Sequence, residues 1–137
     1  MFLTRIGWLV SALLWYGVVL LVSTQMPDFD SSPSLWRAMH AGLYGGLALM
    51  LLAAFARSFP RANPTSWRLA TLAVAALAAG AERWLVPNVM SPLSAFDAWM
   101  AALLGIAVGV MLPRWLPTSI TCRWLGIERR QKSSKTS

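Results

Sequence analysis

The chain has 137 residues, of which 57% are hydrophobic and only 12% charged. Soluble domains carry about a quarter charged residues, so half that share combined with long apolar runs excludes an ordinary soluble domain and indicates an integral membrane protein. The formal charge of +7 does not point to nucleic acid, because the basic residues sit in short hydrophilic gaps and in the tail, as topology signals do, with no aromatic-studded basic face outside the apolar runs.

A short basic start ends at Arg5. The first apolar run predicts a helix over about 6–24, close to the length that crosses a bilayer at 1.5 Å per residue. A cleaved signal peptide is the rival reading. The run is long for a signal core, Val22-Ser23-Thr24-Gln25 is a poor cleavage site, and Trp8 and Trp15 are unusual in such segments, so a retained transmembrane helix is expected. A polar loop over 25–35 holds Pro27, Asp28, Asp30 and Pro33, which oppose helix continuation. The second helix is predicted over about 36–56. A second loop contains Arg57, Pro60, Arg61 and Pro64, with Arg68 just beyond. The third helix, rich in alanine, is expected over about 67–86. A short loop follows, and then a fourth helix over about 95–112 that stops at Pro113.

The tail, 114–137, is basic. Ile120, Trp124 and Ile127 share one helical face, which predicts a short amphipathic segment on the membrane surface, and the polar end from Arg129 is expected to be disordered. Cys122 is the sole cysteine, so the chain can form neither an intramolecular disulfide nor a cysteine-based metal site; an inert thiol is expected. The predicted fold is an all-α membrane protein. It comprises a four-transmembrane-helix bundle over 1–113 and a short cytoplasmic C-terminal amphipathic segment in the tail.

Arg5, the second loop and the tail are basic, whereas the first loop carries Asp28 and Asp30. The positive-inside rule therefore predicts both termini in the cytoplasm of a multi-pass inner-membrane protein. Trp8, Trp67 and Trp115 would mark the inner interface, and Trp36, Trp84 and Trp99 the outer one.

Arg37, His40 and Tyr44 are spaced i, i+3 and i+7 on the second helix, hence on one face. Ionisable groups in an apolar run are costly unless they find partners. Glu82 and Asp97 are the only acidic residues in the other apolar runs, and the topology places both near the outer end, at the depth of His40. The expectation is that these two carboxylates meet the Arg37/His40/Tyr44 stripe. Ala101, Gly105 and Gly109 continue the face of Asp97, Gly42 and Gly46 form a similar pair on the second helix, and Ala75, Ala78 and Ala79 lie on the side of Glu82. Such stripes of small residues allow close helix approach. Arg83, about 100° round from Glu82, is expected to snorkel outward. Met39, Met50 and Met111 read as packing or lipid-facing residues.

These residues resemble the VanZ-like membrane proteins. That family carries a basic residue and H-x-x-x-Y on an early helix, matched by Arg37, His40 and Tyr44. It later carries E-x-x-Q, a proline, an arginine, and an Asp fifteen positions after the Glu, followed by Asn and Gly. Glu82 and Asp97 keep that spacing, and Ser23 to Pro27 is similar to the family's loop entry. The family's Gln, Arg and Asn positions are Leu85, Ser91 and Ala101 here, and the glycine is Gly105. The resemblance spans roughly residues 20–112. It implies a cell-envelope role and an association with low-level resistance to glycopeptide antibiotics such as teicoplanin, without a defined reaction.

Three functions compete. In the first, Arg37, His40, Tyr44, Glu82 and Asp97 form an outer-side site binding a polar or anionic group of a lipid, glycan or lipid-linked cell-wall precursor. In the second, His40 with Glu82 or Asp97 supplies acid–base chemistry on a lipid-linked substrate; no nucleophile stands out, so a non-enzymatic role ranks higher. In the third, the cluster is an ion-paired plug in a structural subunit. Two carboxylates and a histidine could hold a divalent metal, but there is no compact ligand motif, so no metal or other cofactor is expected. The expected partners are the bilayer and an envelope precursor, with no nucleic acid; the oligomeric state is not set by the sequence.

Overall fold

The computed structural model describes residues 2–25, 32–85 and 95–115. They form four helices and no strand: α1 (Phe2–Gln25), α2 (Pro33–Ser58), α3 (Pro64–Leu85) and α4 (Ala95–Trp115). Three helices are long and apolar enough to cross a membrane, over Ile6–Thr24, Pro33–Ser58 and Phe96–Trp115. α3 is similarly long, at 22 residues, but Arg68, Glu82 and Arg83 make it less apolar. The expected amphipathic tail segment, Cys122, the first loop's Asp28 and Asp30, the loop over 86–94 and the side chain of Arg83 lie outside the described residues.

Proline corrects three helix boundaries. α2 starts at Pro33 rather than 36, and α3 at Pro64 rather than 67. The first position of a helix has no intrahelical use for an N–H, so proline's fixed φ favours it there. Asn63 caps α3 by accepting the Thr65 N–H at 3.0 Å. α4 does not stop at Pro113 but continues to Trp115. Two residues from the helix end, proline removes one hydrogen bond and has little helix beyond it to break.

α2 is the central helix. It packs most extensively on α4 and also touches α1 and α3, while α3 packs on α4. Ala41 and Gly45 of α2 face Gly105 and Gly109 of α4 in the same order along both helices, so these two run parallel. The backbones approach so closely that a Cβ built on Gly105 would overlap the Ala41 carbonyl oxygen, and one on Gly109 would lie 2.5 Å from the Gly45 oxygen. The expected stripe on α4 thus packs as a seam. The expected Gly42/Gly46 pair does not pack as one: Gly42 has nothing near it, and Gly46 faces the Trp15 ring of α1. Gly42 and Gly46 lie about 100° round α2 from Ala41 and Gly45, and it is through Ala41 and Gly45 that the seam with α4 runs.

α1 runs antiparallel to α2. Trp15 Nε1 donates to the Leu43 carbonyl oxygen at 2.8 Å, and the Arg57 guanidinium stacks 4.4 Å from the Trp8 ring centre, a cation–π contact. α1 meets α3 through Tyr16, whose hydroxyl donates to the Ala78 carbonyl oxygen at 2.8 Å. The core is built from Val19, Tyr44, Leu47, Ala75, Ile106 and Val110. A second cluster forms around Leu52, Ala53, Ala56 and Trp67. Trp36 and Trp67 lie near the starts of α2 and α3 and are buried within the bundle. Trp36 packs on Ala98, and Trp67 Nε1 donates to the Phe59 carbonyl oxygen at 2.9 Å.

Candidate functional site

The polar groups gather where the end of α1, the beginning of α2 and the end of α3 converge. Antiparallel packing brings Ser23, two residues from the end of α1, to the height of His40 on α2 and Glu82 on α3. Ala75, Ala79 and Glu82 are all buried along one side of α3, as the alanine spacing predicted, so the carboxylate is delivered into the bundle rather than outward.

Glu82 is the hub. Tyr44 Oη donates to its Oε2 at 2.6 Å, and His40 Nε2 lies 3.3 Å from the same oxygen. Ser23 Oγ donates to Oε1. Ser23, His40, Tyr44 and Glu82 are all buried, none more than 6% exposed. The rings of His40 and Tyr44 are tilted against each other with centroids 5.5 Å apart. An ionised carboxylate only accepts hydrogen bonds, so the two convergent hydroxyl donors suit the charged form of Glu82, and the His40 ring lies close enough to pair with it. Both oxygens are served, which is the condition for keeping a carboxylate in an apolar interior.

Asp97 is not part of this node. Its Oδ1 lies 3.5 Å from Arg37 Nη2, and the two side chains are 41% and 53% exposed. The five residues expected to form one site therefore divide into a buried node with His40, Tyr44 and Glu82 and an exposed pair of Arg37 with Asp97. The reason is the height of each residue. Arg37 lies one turn beyond His40 toward the helix end, and Asp97 is in the first turn of α4, so the guanidinium reaches Asp97 across the α2–α4 contact while α3 delivers Glu82 lower down.

The separation also bears on metal binding. Among the described residues, no group of three His, Cys, Asp or Glu side chains could hold a metal ion, because the second carboxylate is drawn away from His40 and Glu82.

Ser23 completes the node and was visible in the sequence only as the start of a loop motif. It lies four residues after Val19 and seven after Tyr16. Both of those positions face the core side of α1, and that periodicity is the signal that places Ser23 inside.

No family model matches the chain, nor does any curated protein or solved structure.

Proposed function

We propose that the chain is an integral membrane protein of the cell envelope, with all four helices spanning the inner membrane and both termini in the cytoplasm. Its outer end would recognise a polar or anionic group of a lipid, glycan or lipid-linked cell-wall precursor. Three observations support four crossings: α3 has 22 residues, about 33 Å at helical rise; its polar residue Glu82 is buried against α1 and α2; and Arg57, Arg61, Arg68 and Arg114 cluster at one end, as the positive-inside rule requires of the cytoplasmic side.

One observation carries the binding role: the half-exposed Arg37–Asp97 pair stands one turn beyond the closed node. An exposed ion pair holds little energy and can be exchanged for a ligand anion, to which arginine offers a planar set of donors. His40, Tyr44, Glu82 and Ser23 are too deeply buried to touch such a ligand; in this reading they fix α1, α2 and α3 so that Arg37 is presented. Their burial also favours a second reading, a structural subunit in which the node only sets helix register. Acid–base chemistry by His40 and Glu82 would require the node to open and ranks below both.

Resemblance to the VanZ-like motifs directs the test toward glycopeptide susceptibility. A sensitive bacterial host expressing the chain is expected to tolerate more teicoplanin, and Arg37→Ala is expected to abolish the effect while the protein still inserts and keeps its thermal stability. An equal effect from Arg37→Ala rejects Arg37 as the ligand group. Binding of a short-chain polyprenyl phosphate to the purified protein, lost in the same variant, would identify phosphate as the recognised group.

A further inference from the structure

The opposite end of the bundle carries arginines from three separate elements. Arg61 lies in the connection between α2 and α3, Arg68 in the second turn of α3, and Arg114 in the last turn of α4. The parallel course of α2 and α4, with α3 antiparallel to α2, brings all three to one end. Arg57 is at the same end and is engaged with Trp8. The two carboxylates among the described residues, Glu82 and Asp97, are both committed at the other end. None of Arg61, Arg68 and Arg114 has an ion-pair partner among the described residues. Arg61 and Arg114 are exposed, and Arg68 is half-buried.

Two large aromatic rings accompany these charges. Phe59 is 59% exposed and Trp115 is 74% exposed. They flank the arginines in sequence, and aromatic rings of this kind favour the boundary between headgroups and acyl chains. Three cations without an ion-pair partner among the described residues, set within about two turns of apolar helices and beside exposed rings, match the layered chemistry of a lipid: phosphate above, hydrocarbon below. A soluble anion would use the charges but not the rings.

We propose that this end of the bundle is a binding surface for anionic phospholipid, with the phosphate held by Arg61, Arg68 and Arg114 and the glycerol and upper acyl region resting on Phe59 and Trp115. The proposal rests on the membrane reading above but not on the ligand assigned to the Arg37 end.

The test uses the full chain purified in detergent and native mass spectrometry with equal amounts of dioleoyl phosphatidylglycerol and dioleoyl phosphatidylcholine. All samples carry Arg37→Ala and Arg83→Ala, so the other end contributes no arginine. Preferential retention of phosphatidylglycerol is expected, and it should weaken in 0.5 M salt as screening shortens. Selectivity should fall by about fivefold for each of Arg61→Gln, Arg68→Gln and Arg114→Gln, and the three lysine replacements should keep most of it. Equal retention of both lipids before any arginine at this end is changed overturns the proposal, without any need for the triple variant to fold. Unchanged selectivity in a folded triple variant also overturns it, as does displacement of the lipid by millimolar inorganic phosphate. Flotation separates the two layers of the argument. A chain stripped from phosphatidylcholine vesicles at alkaline pH refutes the membrane reading and this site with it; a chain that stays in the vesicles but shows no headgroup preference refutes the site alone.

Discussion

Tyr44 on α2 donates a hydrogen bond from its hydroxyl to Glu82 on α3 across 2.6 Å, and both side chains are buried. Removing the carboxylate leaves the Tyr44 and Ser23 hydroxyls and the His40 ring without their shared acceptor. Glu82→Ala is therefore expected to lower the stability of the folded bundle by about 3–5 kcal/mol, read as a large drop in unfolding temperature in detergent. Tyr44→Phe removes one of the two hydroxyl donors and should cost only about 1–2 kcal/mol. Equal losses from the two substitutions would show that Glu82 is not the hub.

Arg37 and Asp97 should behave in the opposite way. Both are half-exposed, and such pairs contribute about 0–1 kcal/mol. Arg37→Ala and Asp97→Ala are each expected to leave the unfolding temperature within a degree or two of the wild type. A loss of stability comparable to that of Glu82→Ala would make the pair a structural element and remove the basis for assigning it to a ligand.

The α2–α4 seam predicts a sharp contrast between two glycines. The space beside Gly105 is filled by the Ala41 carbonyl group, which belongs to the backbone and cannot rotate away, whereas Gly42 has open surroundings. Gly105→Ala should destabilise by about 1–3 kcal/mol, and Gly42→Ala should be neutral or slightly stabilising. Cysteine crosslinking between α2 and α4 in each variant would report whether the helices have separated.

Thr71 offers a gain. It is fully buried on α3, and its hydroxyl has no hydrogen-bond partner among the described residues. Many helical threonines return the proton to a carbonyl one turn back, as Thr24 does toward Leu21 at 2.8 Å. A buried hydroxyl without a partner carries its full desolvation cost. Thr71→Val keeps the shape and removes the polar atom, so the unfolding temperature should hold or rise. A clear fall would mean that the hydroxyl has a partner in the membrane-embedded protein.

How far the sequence revealed this arrangement depends on the kind of information involved. Helical periodicity placed His40 and Tyr44 on one face and Ala75, Ala79 and Glu82 on another, and helix ends placed them at one height. Those two coordinates suffice for the node, because antiparallel neighbours at equal height have few alternatives. They do not suffice for Asp97, whose height matches Arg37 better than His40 and whose neighbour is decided by which side of α2 the fourth helix occupies. That choice follows from the Ala41/Gly45 groove, whereas the sequence pattern pointed to Gly42 and Gly46 instead. Prolines misled for a different reason: Pro33, Pro64 and Pro113 were read as breakers, although the first turn tolerates them and the last turn has little to lose.

The node draws its residues from α1, α2 and α3 and none from α4. With α3 spanning the bilayer as proposed, the Glu82 carboxylate can therefore meet Ser23, His40 and Tyr44 before α4 is synthesised. The glycine seam works the other way, since it can close only once α4 is in place against Ala41 and Gly45.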